Sequence, residues 1–336
     1  MRLVVALGGN ALLQRGEVPA AEIQRHHVEA GVAALTPLLA EHDVLVTHGN
    51  GPQVGLLALE SASDPALDHP YPFDVLGAQT QGMIGYLVAQ AIDNALPGRR
   101  VVGLLSQTLV AADDPAFSFP SKFVGPTYLD AEAKQLAARF GWRFAAEGDR
   151  WRRVVASPEP IGLVELPVVR SLLAEGVVVV CVGGGGVPVV RAPDGRLAGV
   201  EAVVDKDLSS SLVAVELGAD ALVLLTDVGA VELGFGTDHA LALRRVSPDA
   251  LRRERFAAGS MGPKVEASCR FVEATGNPAY IGSLAEAASL LSGATGTYVG
   301  PGVELVAERP GVGSADPGRS PGAGGPRTGA ERNGRR

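Results

Sequence analysis

Three times in the first 190 residues a short, largely apolar run stops at a cluster of glycines. Leu3 to Leu7 leads into Gly8-Gly9-Asn10-Ala11, Asp43 to Thr47 into His48-Gly49-Asn50-Gly51, and Val177 to Val182 into Gly183-Gly184-Gly185-Gly186. Runs of this length, apolar at consecutive rather than alternate positions, read as strands buried on both faces, as in a largely parallel sheet covered by helices. Ligands of such open α/β sheets sit beyond the carboxyl ends of the strands, which is where each glycine turn falls. Turns without side chains let backbone N–H groups approach an anion closely. For each turn taken alone, a tight structural turn is the alternative reading.

A different strand end organises the second half. From Gly199 to Ala214 an apolar stretch, with Val200, Ala202, Val203 and Val204 as the end of a buried strand, drops into Asp205, Lys206 and Asp207. Asp207, Leu208 and the serines 209–211 read as the N-cap and first turn of a helix. A lysine at a helix N-terminus suits a phosphate, and an aspartate beside it can fix its position. Further on, Pro263 stands near a helix start with Lys264 in the first turn, where the dipole disfavours a cation unless an anion is present. That mismatch points to a phosphate again.

The remaining elements follow from periodicity. Helices are expected over Ala21 to Ala40, Phe73 to Leu96 and Leu166 to Glu175, and strands over Val101 to Ser106, Ala221 to Thr226, Pro278 to Ile281 and Thr295 to Val299. Val187 to Val204 reads as a hairpin turning at Pro193-Asp194-Gly195. Asp113 to Pro160, rich in Pro, Phe and Ser at its start, reads as an inserted subdomain or lid that carries Lys122. A lid lysine brings one positive charge to a closing site, against the alternative of an ordinary surface lysine. Beyond Asp227, Phe235 offers an apolar wall for a base and ribose. His48 reads as scaffold.

Charge and cysteine content narrow the function classes. The net charge is −8, but residues 309–336 hold six arginines against Asp316 and Glu331, a balance of +4, which leaves −12 on the rest. So acidic a body argues against nonspecific nucleic-acid binding. Two isolated cysteines, Cys181 and Cys269, make neither a disulfide framework nor a zinc site and suit the cytoplasm. No apolar segment approaches the roughly 20 residues that span a bilayer. The Pro/Gly/Arg tail lacks the apolar residues to fold and reads as disordered.

Taken together, the motifs resemble the amino acid kinase family. The matching pieces are VVALGGNAL from Val4, HGNGPQVG from His48, TQGMIGY from Thr80, CVGGGGVPVV from Cys181, GVEAVVDKDL from Gly199, LLTDV from Leu224 and GSMGPKVEA from Gly259. They occur in family order over about residues 3–299. The resemblance implies an αβα sandwich with a protruding subdomain near 113–160, an acceptor half at 1–198, a nucleotide half at 199–308 and a homodimer. It implies phosphoryl transfer between ATP and carbamate with Mg²⁺ held by the nucleotide phosphates, run toward ATP in arginine breakdown.

By the same resemblance Lys206 and Lys264 contact nucleotide phosphates, Lys122 reaches the transferring group, and Asp207 organises the lysines, with Asp205 a second candidate. Gly8, Gly9, Asn10, Gly49, Asn50, Gly51, Gly183, Gly184 and Gly185 line the acceptor and phosphoryl oxygens. Thr226, Asp227, Val228, Phe235, Met261 and Pro263 line the nucleotide. The pattern departs over Asp227 to Thr237, where an aromatic near Glu232 and an asparagine near Gly234 are expected, and Phe235 is the aromatic that remains. A sister kinase with another carboxylate or a nucleoside monophosphate as acceptor and a catalytically silent nucleotide sensor stay open. A dinucleotide-dependent oxidoreductase is disfavoured, because no turn shows the G-x-G-x-x-G spacing.

Overall fold

Alternation along one strand decides how the chain is layered. Within β1, Arg2–Leu7, the side chains of Leu3, Val5 and Leu7 join one hydrophobic cluster and those of Val4 and Ala6 another. Successive residues of a strand point to opposite faces, so a strand that is apolar throughout needs cover on both. The computed structural model describes residues 1–9, 12–14, 17–257 and 259–309.

The chain continues from β1 through α1 (Ala21–Glu41), β2 (Asp43–His48), α2 (Gly51–Ser63), α3 (Phe73–Ala95), β3 (Val101–Gly103) and β4 (Gln107–Val110). An excursion follows: β5 (Lys122–Tyr128), α4 (Asp130–Phe140), β6 (Arg143–Glu147) and β7 (Arg150–Val155). The chain returns in β8 (Pro160–Leu163), α5 (Leu166–Ala174), β9 (Val178–Val180), β10 (Val187–Arg191) and β11 (Leu197–Gly199). Last come α6 (Lys206–Leu217), β12 (Ala221–Thr226), β13 (Val231–Leu233), β14 (Leu241–Val246), α7 (Pro248–Leu251), α8 (Met261–Thr275), β15 (Ala279–Ser283), α9 (Ala287–Leu290), β16 (Thr297–Val299) and β17 (Val306–Glu308).

Ten strands form the main sheet, nine in the order β13-β14-β16-β15-β12-β1-β2-β9-β3 and the tenth, β17, pairing antiparallel with β14 off that path. The pairings of β1 with β2 and β12, of β2 with β9 and of β12 with β15 are parallel. On one face α1 and α3 supply Val32, Leu35, Leu39, Ile84 and Val88 to the core; on the other α5, α6 and α8 supply Val169, Leu173, Val213 and Phe271. That is an αβα sandwich. Register matters for the site: Leu7 pairs with His48, and Ala6 with Leu224. The ends of β1, β2 and β12 therefore finish side by side.

Two smaller sheets stand apart. β11-β10-β4-β8 make one, and the excursion makes its own three-stranded sheet, β5-β7-β6, with α4 beside it. The strand expected over Val101 to Ser106 ends at Gly103, because the chain leaves the main sheet there and re-enters pairing at Gln107 in the smaller one. The hairpin expected to Val204 ends at Gly199; Val200 to Val204 is held instead by a lone bridge, Ala202 to Ala156, and by the Val203 N–H donating to the Ala156 carbonyl at 3.0 Å.

Both cysteines are free and buried. Burial pushes the Cys269 thiol up to about 12 and that of Cys181 higher still. Among the described residues no helix is long and apolar enough to cross a membrane. The tail from residue 310 onward, expected to be disordered, lies outside the described residues, as does Asn10.

Candidate active site

The strand ends define a floor and α6 brings the charges to it. Gly8 follows β1 so closely beside β12 that a Cβ there would meet the Leu225 carbonyl at 3.0 Å. A Cβ on Gly49 would lie 3.1 Å from the Gly9 nitrogen and 3.6 Å from Cε of Lys206. The first two glycine turns and Lys206 thus touch. Gly51 opens α2, so the second turn delivers a helix N-terminus as well as backbone amides.

Helix α6 starts two residues earlier than expected. Asp205, not Asp207, is its N-cap: an Asp205 carboxylate oxygen accepts from the N–H of Asp207 at 2.9 Å and, more weakly, of Leu208 at 3.4 Å. This frees Asp207 for the lysines. Its Oδ1 accepts from Lys206 Nζ at 2.6 Å and its Oδ2 from Lys264 Nζ at 3.1 Å. The other oxygen of Asp205 accepts from Lys122 Nζ at 2.6 Å, so the excursion's lysine is not an ordinary surface one. One capping aspartate and the aspartate two residues on have gathered ammonium groups from β5, α6 and α8.

Energetics follow from burial. Lys206 and Lys264 keep 11% of their side-chain surface, Asp207 6% and Lys122 36%. Burial alone would raise the Asp207 pKa, but Lys206 and Lys264 outweigh it and hold it at about 2. Burial, reinforced by Lys264, pushes Lys206 below the ordinary lysine value in spite of Asp207. Three cations face two anions, and that formal excess of one positive charge in a poorly hydrated site favours an incoming anion. Lys264 sits in the first turn of α8, where the dipole disfavours it; Asp207 supplies the anion, so that position does not of itself require a phosphate.

Packing alone requires the run Gly183 to Gly186. A Cβ on Gly183 would fall 2.4 Å from the His48 ring, one on Gly184 2.2 Å from Asn50 Nδ2, one on Gly185 2.3 Å from the Val204 carbonyl and one on Gly186 2.0 Å from Thr108 Oγ1. Gly184, Gly185 and Gly186 also have positive φ, as does Val182 at 55°, a left-handed conformation that β-branched residues avoid. The Val182 N–H is held by Ser106 Oγ at 2.7 Å. The third glycine turn is therefore a buried buttress behind the second, with the Gly185 carbonyl accepting from Thr108 and Ser209 hydroxyls.

His48 is part of this scaffold. Its Nδ1 lies 2.9 Å from the Gly49 carbonyl, and burial pushes its pKa down to about 4, so the ring is neutral near pH 7. Polar contacts among the strand ends and α6 complete the support: Asn50, expected to line the phosphoryl oxygens, donates to Thr80 Oγ1, Thr47 and Ser210 hydroxyls meet at 2.7 Å, and Ser211 donates to the Ala267 carbonyl. Three consecutive serines in a first helical turn, all buried, were the available signal.

Thr226 ends β12 beside Gly8 and Asp227 and Val228 follow it, while Met261 and Pro263 share the first turn of α8 with Lys264. Phe235 lies on the turn after β13 and is 69% exposed, so it walls nothing in this structure. Among the described residues no group of three or more His, Cys, Asp or Glu side chains gathers that could hold a metal ion. Asp205 and Asp207 are engaged with lysines and backbone.

The fold and this lysine–aspartate cluster at parallel strand ends define a phosphotransferase class, and residues 1–283 match the model of the amino acid kinase family. The chain belongs to that family. Among its relatives, a carbamate kinase of Rhizobium meliloti is 49% identical over 89% of this chain and 93% of its own, and one of Pyrococcus furiosus is 45% identical over 89% and 99%. The solved carbamate kinase of Giardia lamblia bound to AMP-PNP is 38% identical, with a TM-score of 0.81 over 89% of this chain and 98% of that one.

Proposed function

We propose that this chain is a carbamate kinase, catalysing carbamoyl phosphate + ADP ⇌ ATP + carbamate. The observation that carries the reading is the convergence of Lys122, Lys206 and Lys264 on Asp205 and Asp207 beside the Gly8-Gly9 and Gly49 turns. Transfer breaks the bond from phosphorus to the carbamate oxygen as a bond forms from a β-phosphate oxygen of ADP. The attacking β-phosphate oxygen of ADP is already an anion and the carbamate oxygen leaves as one, so no general base is needed, and His48, neutral and buried, is not called upon. What the protein supplies is position and charge. Lys206 and Lys264, locked by Asp207, hold the phosphate chain of the nucleotide; Lys122 follows the transferring group; the amide of Gly9 meets its equatorial oxygens, that of Gly49 being held by the Leu7 carbonyl at 3.0 Å.

The two halves divide the work, residues 1–198 taking the acceptor and 199–308 the nucleotide, with the excursion between residues 113 and 160 as the lid. Mg²⁺ carried on the nucleotide phosphates would neutralise part of their charge, which suits a site whose own carboxylates are committed to lysines. Transfer from a mixed anhydride to ADP runs downhill, and carbamate then breaks down to CO₂ and ammonia, which favours ATP formation, as in arginine breakdown. The two buried free thiols suit a cytoplasmic setting.

A coupled assay with carbamoyl phosphate, ADP and Mg²⁺, read as ATP, is expected to show turnover that acetylglutamate or a nucleoside monophosphate does not replace when the reverse reaction is run with ATP. Lys264→Ala is expected to lower kcat on the order of 10²- to 10³-fold, as loss of one preorganised donor typically does, with the circular dichroism spectrum unchanged. ATP binding without turnover on any acceptor would reject the reading.

A further inference from the structure

Lys122 reaches Asp205 from a separate sheet, so something must hold that sheet against the body when the lysine turns to its substrate. The Lys122–Asp205 ion pair cannot do both. A second connection lies two residues along β7, at Arg153. Its guanidinium is stacked between Trp142, 3.9 Å from the ring centroid, and Phe73, at 4.7 Å, and it donates to Glu201 Oε1 at 2.9 Å. Glu201 Oε2 in turn accepts the N–H of Phe73, the first residue of α3, at 2.7 Å. One carboxylate thus joins the excursion, the N-terminus of α3 and the segment that leads four residues later to Asp205.

We propose that Glu201 and Arg153 form a clasp that positions Lys122 for phosphoryl transfer, both acting as positioning residues; this rests on the phosphotransferase reading given above. Geometry supplies the link. Val124 pairs with Arg153 and Lys122 with Val155, so β7 cannot shift without carrying Lys122. The Ala156–Ala202 bridge makes a hinge beside the clasp. On its outer side a cleft of about 400 Å³, lined by Pro72, Phe117, Trp142, Arg153 and Glu201, leaves the excursion room to swing when the clasp opens. Arg153 is 9% exposed whereas the Glu201 side chain is 49% exposed, so Glu201 is the half that can be changed without opening the core. Arg is also the residue that this stacked, forked arrangement requires; lysine offers neither plane nor fork.

The test is a double-mutant cycle in the full chain. Glu201→Gln is expected to lower kcat at least tenfold while the KM for ADP stays within twofold, because the nucleotide is gripped by α6 and α8. In a Lys122→Ala background the same substitution is expected to cost less than twofold, since the group it positions is gone. A purely structural role predicts equal losses in both backgrounds, and that result overturns the proposal. In Trp151→Phe protein, where Trp142 is the one tryptophan left, Glu201→Gln is expected to red-shift the emission as Arg153 leaves the ring; an unchanged spectrum overturns the clasp. Should Glu201→Gln fail to fold, Glu201→Asp, one methylene too short to reach both partners, reads the same cycle. Absence of turnover in the wild type would reject the kinase reading instead, and the Trp142 signal would still judge the clasp.

Discussion

His48 shows how far a single residue sets the behaviour of the site. His48 is 1% exposed and its pKa is pushed down to about 4, so the folded protein binds its proton less readily than the unfolded chain, whose histidine titrates near 6.5. Stability from this group is complete above pH 6.5 and is lost as pH falls through the window from 6.5 to about 4. A shift of that size corresponds to up to about 3 kcal/mol, and urea midpoints measured down this window are expected to fall more steeply for the wild type than for His48→Gln. Parallel curves for the two proteins would show that His48 is not the group responsible. The same scale explains what the chain concealed: Lys206 and Lys264 read as phosphate lysines from their helix starts, but which aspartate caps α6 and which binds the two helix lysines depends on a two-residue shift of the helix start. Periodicity does not resolve boundaries that finely.

Among elements, the glycine turns divide by what they face. Those after β1 and β2 border Lys206, whereas the run from Gly183 to Gly186 fills the space between His48, Asn50, Val204 and Thr108. From the chain alone all three look alike, because a missing side chain marks close approach without telling whether a ligand or another backbone approaches. Strand identity was legible in β1, β2 and β12, each buried on both faces. The clasp was not, since Arg153 and Glu201 meet across 48 residues. Gly185→Ala, which would set a Cβ 2.3 Å from the Val204 carbonyl at a φ of +94°, is expected to lower the melting temperature sharply or prevent folding. Gly77→Ala, in α3 with nothing within 4 Å of the new methyl, is expected to raise stability by about 0.5–1 kcal/mol. Thermal melts of the two variants check the contrast, and a tolerated Gly185→Ala would remove the buttress argument.

For the whole molecule, the question is what covers the outer face of α3. Val75, Met83 and Tyr86 fall within one helical stripe and are 38%, 37% and 55% exposed, with Gly82 between them allowing close approach. The homodimer that the family resemblance implies is expected to place its seam on this stripe. Light scattering on the eluting protein is expected to give about twice the 34.5 kDa chain mass, and Tyr86→Arg to shift it toward one chain. A wild-type mass of one chain would dismiss the seam. The αβα architecture itself was readable from the strands that end in glycine, whereas the separation of β4, β8, β10 and β11 into a second sheet was not, because a chain leaving one sheet for another keeps the same alternation. One consequence concerns handling and drug design. With Cys181 and Cys269 both shielded and their thiols far from ionising at neutral pH, maleimides, iodoacetamide and disulfide-forming compounds have no nucleophile to capture on the native described chain, so electrophilic inhibitors aimed at sulfur are the wrong chemistry for it.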